Sequence, residues 1–350
     1  MKPLIIPVFI PNQGCPNVCI FCNQKSITGR ENSPDGNDVK KIIEEGIKGD
    51  GSLFSREKRN KRKDNRPLFK VSLNKPERNC FFKEIAFYGG SFTGLSLKYQ
   101  EELLGEAKKA VDSGLIEGIR ISTRPDYVDE KVLEILKTYG VRTIELGVQS
   151  FSDKILKNSK RGHNSSCIFY ACEIIKKSGF NLGIQLMMGL PDDSEETLVG
   201  SAEKTIEIKP NFVRIYPVLV LKGTELEQMY LKGEYKPFSM EKTIRLGCLM
   251  VKRFYMEGIP VIRFGLQQTD TINLNESVIA GPFHPSLRHI IDSEIAFENM
   301  SGIIKDNSLS GGSVGFSVSE KELSVFKGIK KENIKKLKKS FNLKEVWFGY

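Results

Sequence analysis

Residues 4–23 read LIIPVFIPNQGCPNVCIFCN. The first half, rich in Ile, Val and Phe, predicts a β-strand over 4–11. Pro3 and Pro7 interrupt the short apolar run, so it reads as a barrel strand and not as a secretory leader. The second half sets Cys15, Cys19 and Cys22 at C-x3-C-x2-C spacing directly after that strand. Three thiolates can bind three irons of a cubane and leave the fourth iron open to a small chelating ligand. Zinc is one rival, because three Cys and one His close a tetrahedral site. The first histidine of the chain, however, is His163. An electron-transfer cluster is another rival, but the spacing supplies no fourth cysteine. Seven cysteines, three of them within eight residues, do not form a disulfide framework. Cys80, Cys167, Cys172 and Cys248 read as small buried apolar residues.

Strand and helix patterns alternate outward from this stretch. Strands are expected over 84–88, 118–123, 142–148, 181–188 and 212–221, with a further one over 259–266. Helices are expected over 38–47, 97–114, 130–139, 153–159, 165–177, 194–208 and 240–256. Six βα units in series imply a parallel sheet with right-handed crossovers. A doubly wound sheet and a partial TIM-like (β/α)6 barrel both satisfy that pattern. The barrel is favoured because the candidate functional residues follow the carboxyl ends of several different strands. The expected organisation is a barrel over 1–266 with a basic insertion at about 55–79, and an extension over 267–307. A Gly/Ser linker over 308–315 then leads into a small basic α/β appendage over 316–350.

An apolar fraction of 39% over 350 residues supports a sizeable core. No apolar run reaches the roughly 18 residues that span a bilayer. The expectation is a cytoplasmic protein with no membrane partner. The formal charge of +10 is concentrated in two stretches, 55–66 at +5 and 321–350 at +6, leaving the remainder at −1. Two basic patches on a neutral body suit a polyanion such as RNA; a solvated lysine surface is the alternative.

Further motifs carry a resemblance. Phe87-Tyr88-Gly89-Gly90-Ser91 closes the second long strand. Thr123-Arg124-Pro125-Asp126-Tyr127, Gly147-Val148-Gln149-Ser150, Lys160-Arg161-Gly162-His163 and Met187-Met188-Gly189-Leu190-Pro191 follow. Then come Ile215-Tyr216-Pro217, Gly223-Thr224-Glu225-Leu226 and Gly233-Glu234-Tyr235-Lys236-Pro237. With the cysteine spacing, this series resembles the radical S-adenosylmethionine (SAM) proteins. Within them it resembles the radical SAM domain of the Elongator catalytic subunit, which modifies the wobble uridine of tRNA. The wider class includes oxygen-independent coproporphyrinogen oxidases.

The resemblance implies a [4Fe–4S] cluster on Cys15, Cys19 and Cys22, with Phe21 packed against it. It also implies SAM on the open iron, reductive cleavage to a 5′-deoxyadenosyl radical, and a reductant protein of flavodoxin or ferredoxin type. Gly89, Gly90 and Ser91 would face the methionine amino group, with Ser91 standing where relatives carry an acidic residue. Gln149 and Arg161 are candidate SAM contacts, and Glu145 and Gln185 point into the same mouth. Glu145 has an alternative as a barrel-interior ion pair with an arginine such as Arg124. His163 has an alternative as a backbone-bonded turn residue, and Tyr88 as a packing residue or a radical relay. Elongator's catalytic subunit continues into an acetyltransferase domain, and the 84 residues after Leu266 are too few for that fold. The spacing between its first two cysteines is also longer. The expected substrate is RNA, tRNA above all. The rivals are a small-molecule radical SAM enzyme acting on a tetrapyrrole or metabolite, and a non-enzymatic iron–sulfur or zinc module. The appendage has the outline of a KH-type RNA element, but Gly328-Ile329-Lys330-Lys331 carries Lys at the second Gly of the Gly-x-x-Gly clamp.

Overall fold

A computed structural model describes residues 4–11, 13–15, 19–23, 32–49, 68–76, 83–266 and 277–349. The basic run 55–66 and Cys80 lie outside the described residues. The strands, in chain order, are β1 (Leu4–Ile10), β2 (Phe69–Lys70), β3 (Lys83–Gly89), β4 (Gly118–Thr123), β5 (Val141–Gln149) and β6 (Asn181–Met188). They continue with β7 (Phe212–Pro217), β8 (Val220–Leu221), β9 (Val261–Phe264), β10 (Val278–Ala280), β11 (Ser313–Ser317) and β12 (Glu345–Gly349). The chain divides into two compact units. The first comprises Met1–Ser52, Glu77–Thr243 and Ile259–Pro285; the second comprises Leu53–Pro76, Ile244–Gly258 and Ser286–Tyr350.

The first unit is built on an all-parallel sheet in the order β1-β3-β4-β5-β6-β7-β9. A doubly wound sheet reverses its strand order at a switch point. This order never reverses, so the sheet is the curled sheet of a partial TIM-like barrel. Helices Leu97–Asp112, Glu130–Thr138, Ser165–Lys177 and Glu195–Ile208 make crossovers. The starts of the last three are fixed locally by side-chain caps. The Asp129 and Asn164 side chains accept from Val132 N and Cys167 N, and Ser194 with Thr197 forms a capping box. Successive strand residues face opposite sides. On β6, Leu182, Ile184, Leu186 and Met188 are buried, and Gly183, Gln185 and Met187 share the other face. A Cβ on Gly183 would come within 2.3 Å of the Phe212 ring and 3.1 Å of the Glu145 side chain. Only glycine there leaves room for both.

The long strand expected over 212–221 is two strands. Pro217 has no N–H to donate, and the last bond to β6 runs from Val218 N to Met188 O at 2.8 Å. Residues Val220–Leu221 then pair antiparallel with β10.

The second unit has a parallel sheet in the order β12-β11-β2 and the helices Leu287–Asp306, Leu323–Lys327 and Glu332–Ser340. It draws on the end of the insertion, the 267–307 extension and the C-terminal stretch alike. The second half of the expected Gly/Ser linker is β11, because Val314 and Phe316 are buried. Gly315 sits where a Cβ would meet the Trp347 ring at 2.4 Å. The buried Asn333 amide donates to Ser293 O at 2.8 Å and to Val325 O and Phe326 O, tying three helices together. Lys330, Lys331, Lys335, Lys338 and Lys339 are exposed. Among the described residues no helix is long and apolar enough to cross a membrane.

Candidate active site

The cysteine loop leaves β1 at Ile10, whose register partner is Gly89 at the end of β3. Its first half lies backbone-on-backbone against the segment after β3. Ser91 N donates to Gln13 O at 3.1 Å. A Cβ on Gly14 would stand 2.1 Å from Ser91 O, one on Gly90 2.0 Å from Gln13 O, and one on Gly94 2.0 Å from Gly14 O. The open face of Gly90 is therefore occupied by the loop that carries Cys15. Gly14 also holds φ +70°, a conformation natural to glycine. Gly90→Ala is expected to displace this loop. Iron content after anaerobic reconstitution should fall by more than about half, while far-UV circular dichroism stays native. Full iron loading of the variant would contradict this account of the glycines.

The second half of the loop is stitched down elsewhere. Cys22 N donates to Cys19 O at 3.0 Å, Leu226 N donates to Ile20 O at 2.8 Å, and the Asn23 amide donates to Lys222 O at 2.8 Å. Ile20 is buried with Ile155, Leu190, Val218, Val220, Leu226 and Tyr235, and Phe21 packs against that cluster. Cys19 is buried, Cys22 half-buried and Cys15 exposed.

Two arginines reach the sulfurs. Arg124 Nη1 lies 3.8 Å from Cys15 Sγ, and Arg161 Nη1 lies 3.3 Å from Cys19 Sγ. Both put positive charge beside a cysteine sulfur. Arg124 is held by Asp126 at 2.9 and 2.6 Å and donates to the carbonyl of Arg161. Arg161 also donates to Gly147 O. There β5 carries an irregularity between Gly147 and Gln149, and Gln149 takes φ +69°. Gln185 Nε2 donates to Gln149 Oε1 at 3.2 Å. A Cβ on Gly147 would lie 3.1 Å from the Gln149 amide nitrogen and 3.6 Å from Arg161 Nη2. Cys19, Arg161, Gln149 and Gln185 thus form one connected group. The Arg124 contact was not anticipated from the sequence; its position directly after β4, in Thr123-Arg124-Pro125, is the signal that could have found it.

Ser91 belongs to the Cys15 side. Its buried hydroxyl pairs with Thr123 Oγ1 at 2.8 Å and accepts from Arg124 N at 3.3 Å. Thr93 Oγ1 joins them, 2.6 Å from Thr123 Oγ1. His163 is half-buried, with Nδ1 3.4 Å from Asn164 O and a buried Nε2 lacking a hydrogen-bond partner. Burial, then the Arg161 charge, lowers its pKa to about 4.

Glu145 lies with other partners. Oε1 accepts from Arg120 Nη1 at 2.7 Å and from the Tyr88 hydroxyl at 3.3 Å, while Oε2 accepts from Arg214 Nη1 at 2.7 Å. Its ion-pair partners are Arg120 and Arg214, not Arg124, which is taken by Asp126. Burial would raise the Glu145 pKa, but Arg214 and Arg120 outweigh it and hold the group below its ordinary value. Arg120 also binds Glu84, whose own pKa burial pushes up despite that partner. Among the described residues no three His, Cys, Asp or Glu side chains converge on one metal ion. A cubane gives each thiolate its own iron, so its ligands need not meet at one point.

Comparison with known proteins accords with this geometry. The Radical SAM superfamily profile matches residues 9–205, and the Radical_SAM C-terminal domain profile matches 210–296. The tRNA uridine(34) acetyltransferase of Methanocaldococcus jannaschii is 32% identical over 183 residues, 47% of this chain and 34% of that protein. Elongator complex protein 3 of Homo sapiens is 28% identical over 183 residues, 47% of this chain and 34% of that protein. The chain thus spans about a third of the length of these relatives. The solved structure of archaeal Methanocaldococcus infernus Elp3 with an N-terminal deletion superposes with a TM-score of 0.58 at 22% identity. That match covers 88% of this chain and 64% of the other, and shows a shared fold. With its superfamily profile spanning more than half of the sequence, this chain is an enzyme of the radical SAM superfamily, whose members use a [4Fe–4S] cluster and SAM.

Proposed function

We propose that the chain is an RNA-modifying radical SAM enzyme with tRNA as its substrate. Cys15, Cys19 and Cys22 hold the cluster, and Gln149, Arg161 and Gln185, with Gly89, Gly90 and Ser91 opposite, surround SAM. The observation that carries this reading is Arg161. One of its guanidinium nitrogens lies 3.3 Å from Cys19 Sγ and another donates to Gly147 O, beside the Gln149–Gln185 pair. Such a group next to a cluster ligand suits a carboxylate, and the two amides suit ribose hydroxyls. The donor set fits a cubane with one open iron, for it has three thiols at C-x3-C-x2-C spacing with arginines beside two of them. When bound, the cluster supplies the electron for reductive cleavage of SAM, the source of a 5′-deoxyadenosyl radical. The apolar cluster around Ile20 and Phe21 excludes water from one side of the loop. A reductant of flavodoxin or ferredoxin type delivers the electron.

Reduced, reconstituted protein given SAM is expected to release 5′-deoxyadenosine and methionine, slowly without substrate. Gln149→Ala should weaken SAM binding by about tenfold at unchanged iron content. If wild type yields S-adenosylhomocysteine alone, the radical reading fails. For RNA, the activity named for the relatives and the exposed lysines of 330–339 are the support. Truncation would be a poor test, because Phe326 and Leu337 are fully buried. Replacing Lys330, Lys331, Lys335, Lys338 and Lys339 by Gln should instead weaken tRNA binding. The slope of log affinity against log salt should shrink by up to about one unit per lost phosphate contact. Equal slopes for the two proteins would refute the RNA role of this helix.

A further inference from the structure

The face of the first unit's sheet that carries Gln185 continues across β7 and β9. In register, Gln185 stands beside Arg214, and Arg214 beside Arg263. Paired residues on neighbouring strands share a face. Arg214 is therefore one strand away from the Gln149–Gln185 hydrogen bond. Its guanidinium lies 4.9 Å from the Tyr88 ring centroid and 5.8 Å from that of Tyr216, and Phe9 lies 6.2 Å from Tyr88.

A guanidinium has five N–H donors in a fixed fork. Glu145 accepts from Nη1 of Arg214, while Nε is buried and has no hydrogen-bond partner. A buried donor left unmade is costly, and in a native structure it calls for a partner. The side chain as a whole remains 16% exposed, so a ligand can reach the guanidinium group although Nε itself is covered. Arg120 and Arg214 balance Glu84 and Glu145, and Arg263 stands on the same face. The wall is aromatic, and its Arg214 is short of one hydrogen-bond acceptor.

We propose that Arg214 is the floor of an oxyanion-binding subsite for the substrate. Its fork takes a phosphate or carboxylate oxygen while Tyr88 and Tyr216 flank the group's planar neighbour. This rests on the reading that SAM lies by Gln149 and Gln185, for it places the substrate's anion beside the SAM site and not within it. Glu145 then becomes a positioning residue: it holds Arg214 through Nη1. Charge-assisted hydrogen bonds from Arg to an oxyanion are among the strong ones. Bases out of their stack are commonly held on aromatic or guanidinium planes, and both kinds of surface occur here.

The test uses the full chain with its cluster reconstituted, and equilibrium dialysis with uridine 5′-monophosphate, uridine, glutarate and SAM as separate probes. Wild type should bind the monophosphate at least about tenfold more tightly than uridine, the difference being the Arg–phosphate contact. Arg214→Gln should remove that difference, by about thirtyfold or less, with the SAM dissociation constant changed by less than about twofold. Arg214→Lys keeps the charge facing Glu145 and guards against misfolding. It should still bind the monophosphate several-fold more weakly, because a lysine cannot supply the fork. Glutarate bound in an Arg214-dependent way, with no preference for the monophosphate, would support the subsite and identify the anion as a carboxylate. Anion binding that is absent in wild type, or unaltered in both variants, overturns the proposal. So does loss of SAM binding in step with anion binding, for Arg214 would then hold the SAM carboxylate. Arg214-dependent anion binding in a protein that binds no SAM would leave the subsite standing and sink the cofactor reading instead.

Discussion

Replacing Cys15, Cys19 or Cys22 by alanine is expected to remove the iron–sulfur cluster from anaerobically reconstituted protein, and with it all cleavage of SAM. Wild type should carry about four irons and four sulfides per chain, since three thiolates suffice for a cubane with one open iron. Each single loss leaves two thiolates, too few to retain it. Cys167→Ala, Cys172→Ala and Cys248→Ala are the controls. The thiolate is the ligand, not the thiol. Burial pushes the Cys172 and Cys248 thiols up to about 12, and it raises Cys167 as well. These three remain protonated at neutral pH and compete poorly for iron. Iron and sulfide assays, with the absorption of the reconstituted protein, read the result. A full cluster in any of the first three variants would overturn the ligand assignment. Loss of the cluster in a control would show that a different thiol completes it.

The proposed ligand set rests on a local pattern: three cysteines within eight residues, after a strand whose apolar content marks it. The parallel sheet was legible for a similar reason, since each βα unit announces itself by its own periodicity. What the sequence hid depends on relations between distant segments. Whether Glu145 meets a ligand or an arginine is decided by register. Ser122 pairs with Glu145, and Gln185 with Arg214. The same parity turns Arg120, Glu145 and Arg214 to one face, while Arg124, beyond the end of β4, turns to Cys15. No local pattern around residue 145 encodes that. The role of Gly90 was hidden likewise, because the backbone it accommodates is that of Gln13, 77 residues earlier. The second unit was missed as a unit because its three stretches are separated by most of the first. The Gly/Ser composition of 308–315 also masked β11, where Gly315 serves close packing against Trp347 and not flexibility.

Arg120→Met should be the most destabilising single change in the first unit that leaves the cysteines untouched. Arg120 is 2% exposed, and its side chain spans two carboxylates. Nε donates to Glu84 Oε2 at 3.1 Å with Nη2 beside it, and Nη1 donates to Glu145 Oε1 at 2.7 Å. Its guanidinium also lies 4.8 Å from the centroid of the Phe212 ring. Methionine fills much of the volume but supplies no charge. Glu145 would keep Arg214, whereas Glu84, 1% exposed, would keep only the Thr143 hydroxyl at 3.1 Å. Stranding a buried charge in this way costs about 3–5 kcal/mol, a large part of the roughly 5–15 kcal/mol that a domain has. The double variant Glu84→Leu with Arg120→Met removes the stranded charge together with its partner. It should recover a good part of the loss, the difference measuring the coupling of the pair. The pH dependence has a definite sign. Burial already raises the Glu84 pKa against the pull of Arg120, and losing Arg120 raises it further. A carboxyl whose folded pKa exceeds its unfolded one favours the fold below the unfolded value, and that advantage is lost as pH rises through the folded value. The deficit of Arg120→Met should therefore be smallest in mild acid and grow toward neutrality, while the double variant shows no such trend. Urea unfolding followed by circular dichroism at about pH 5 and about pH 7.5 reads both effects. A single variant within about 1 kcal/mol of wild type at both pH values would mean that water, not Arg120, satisfies Glu84.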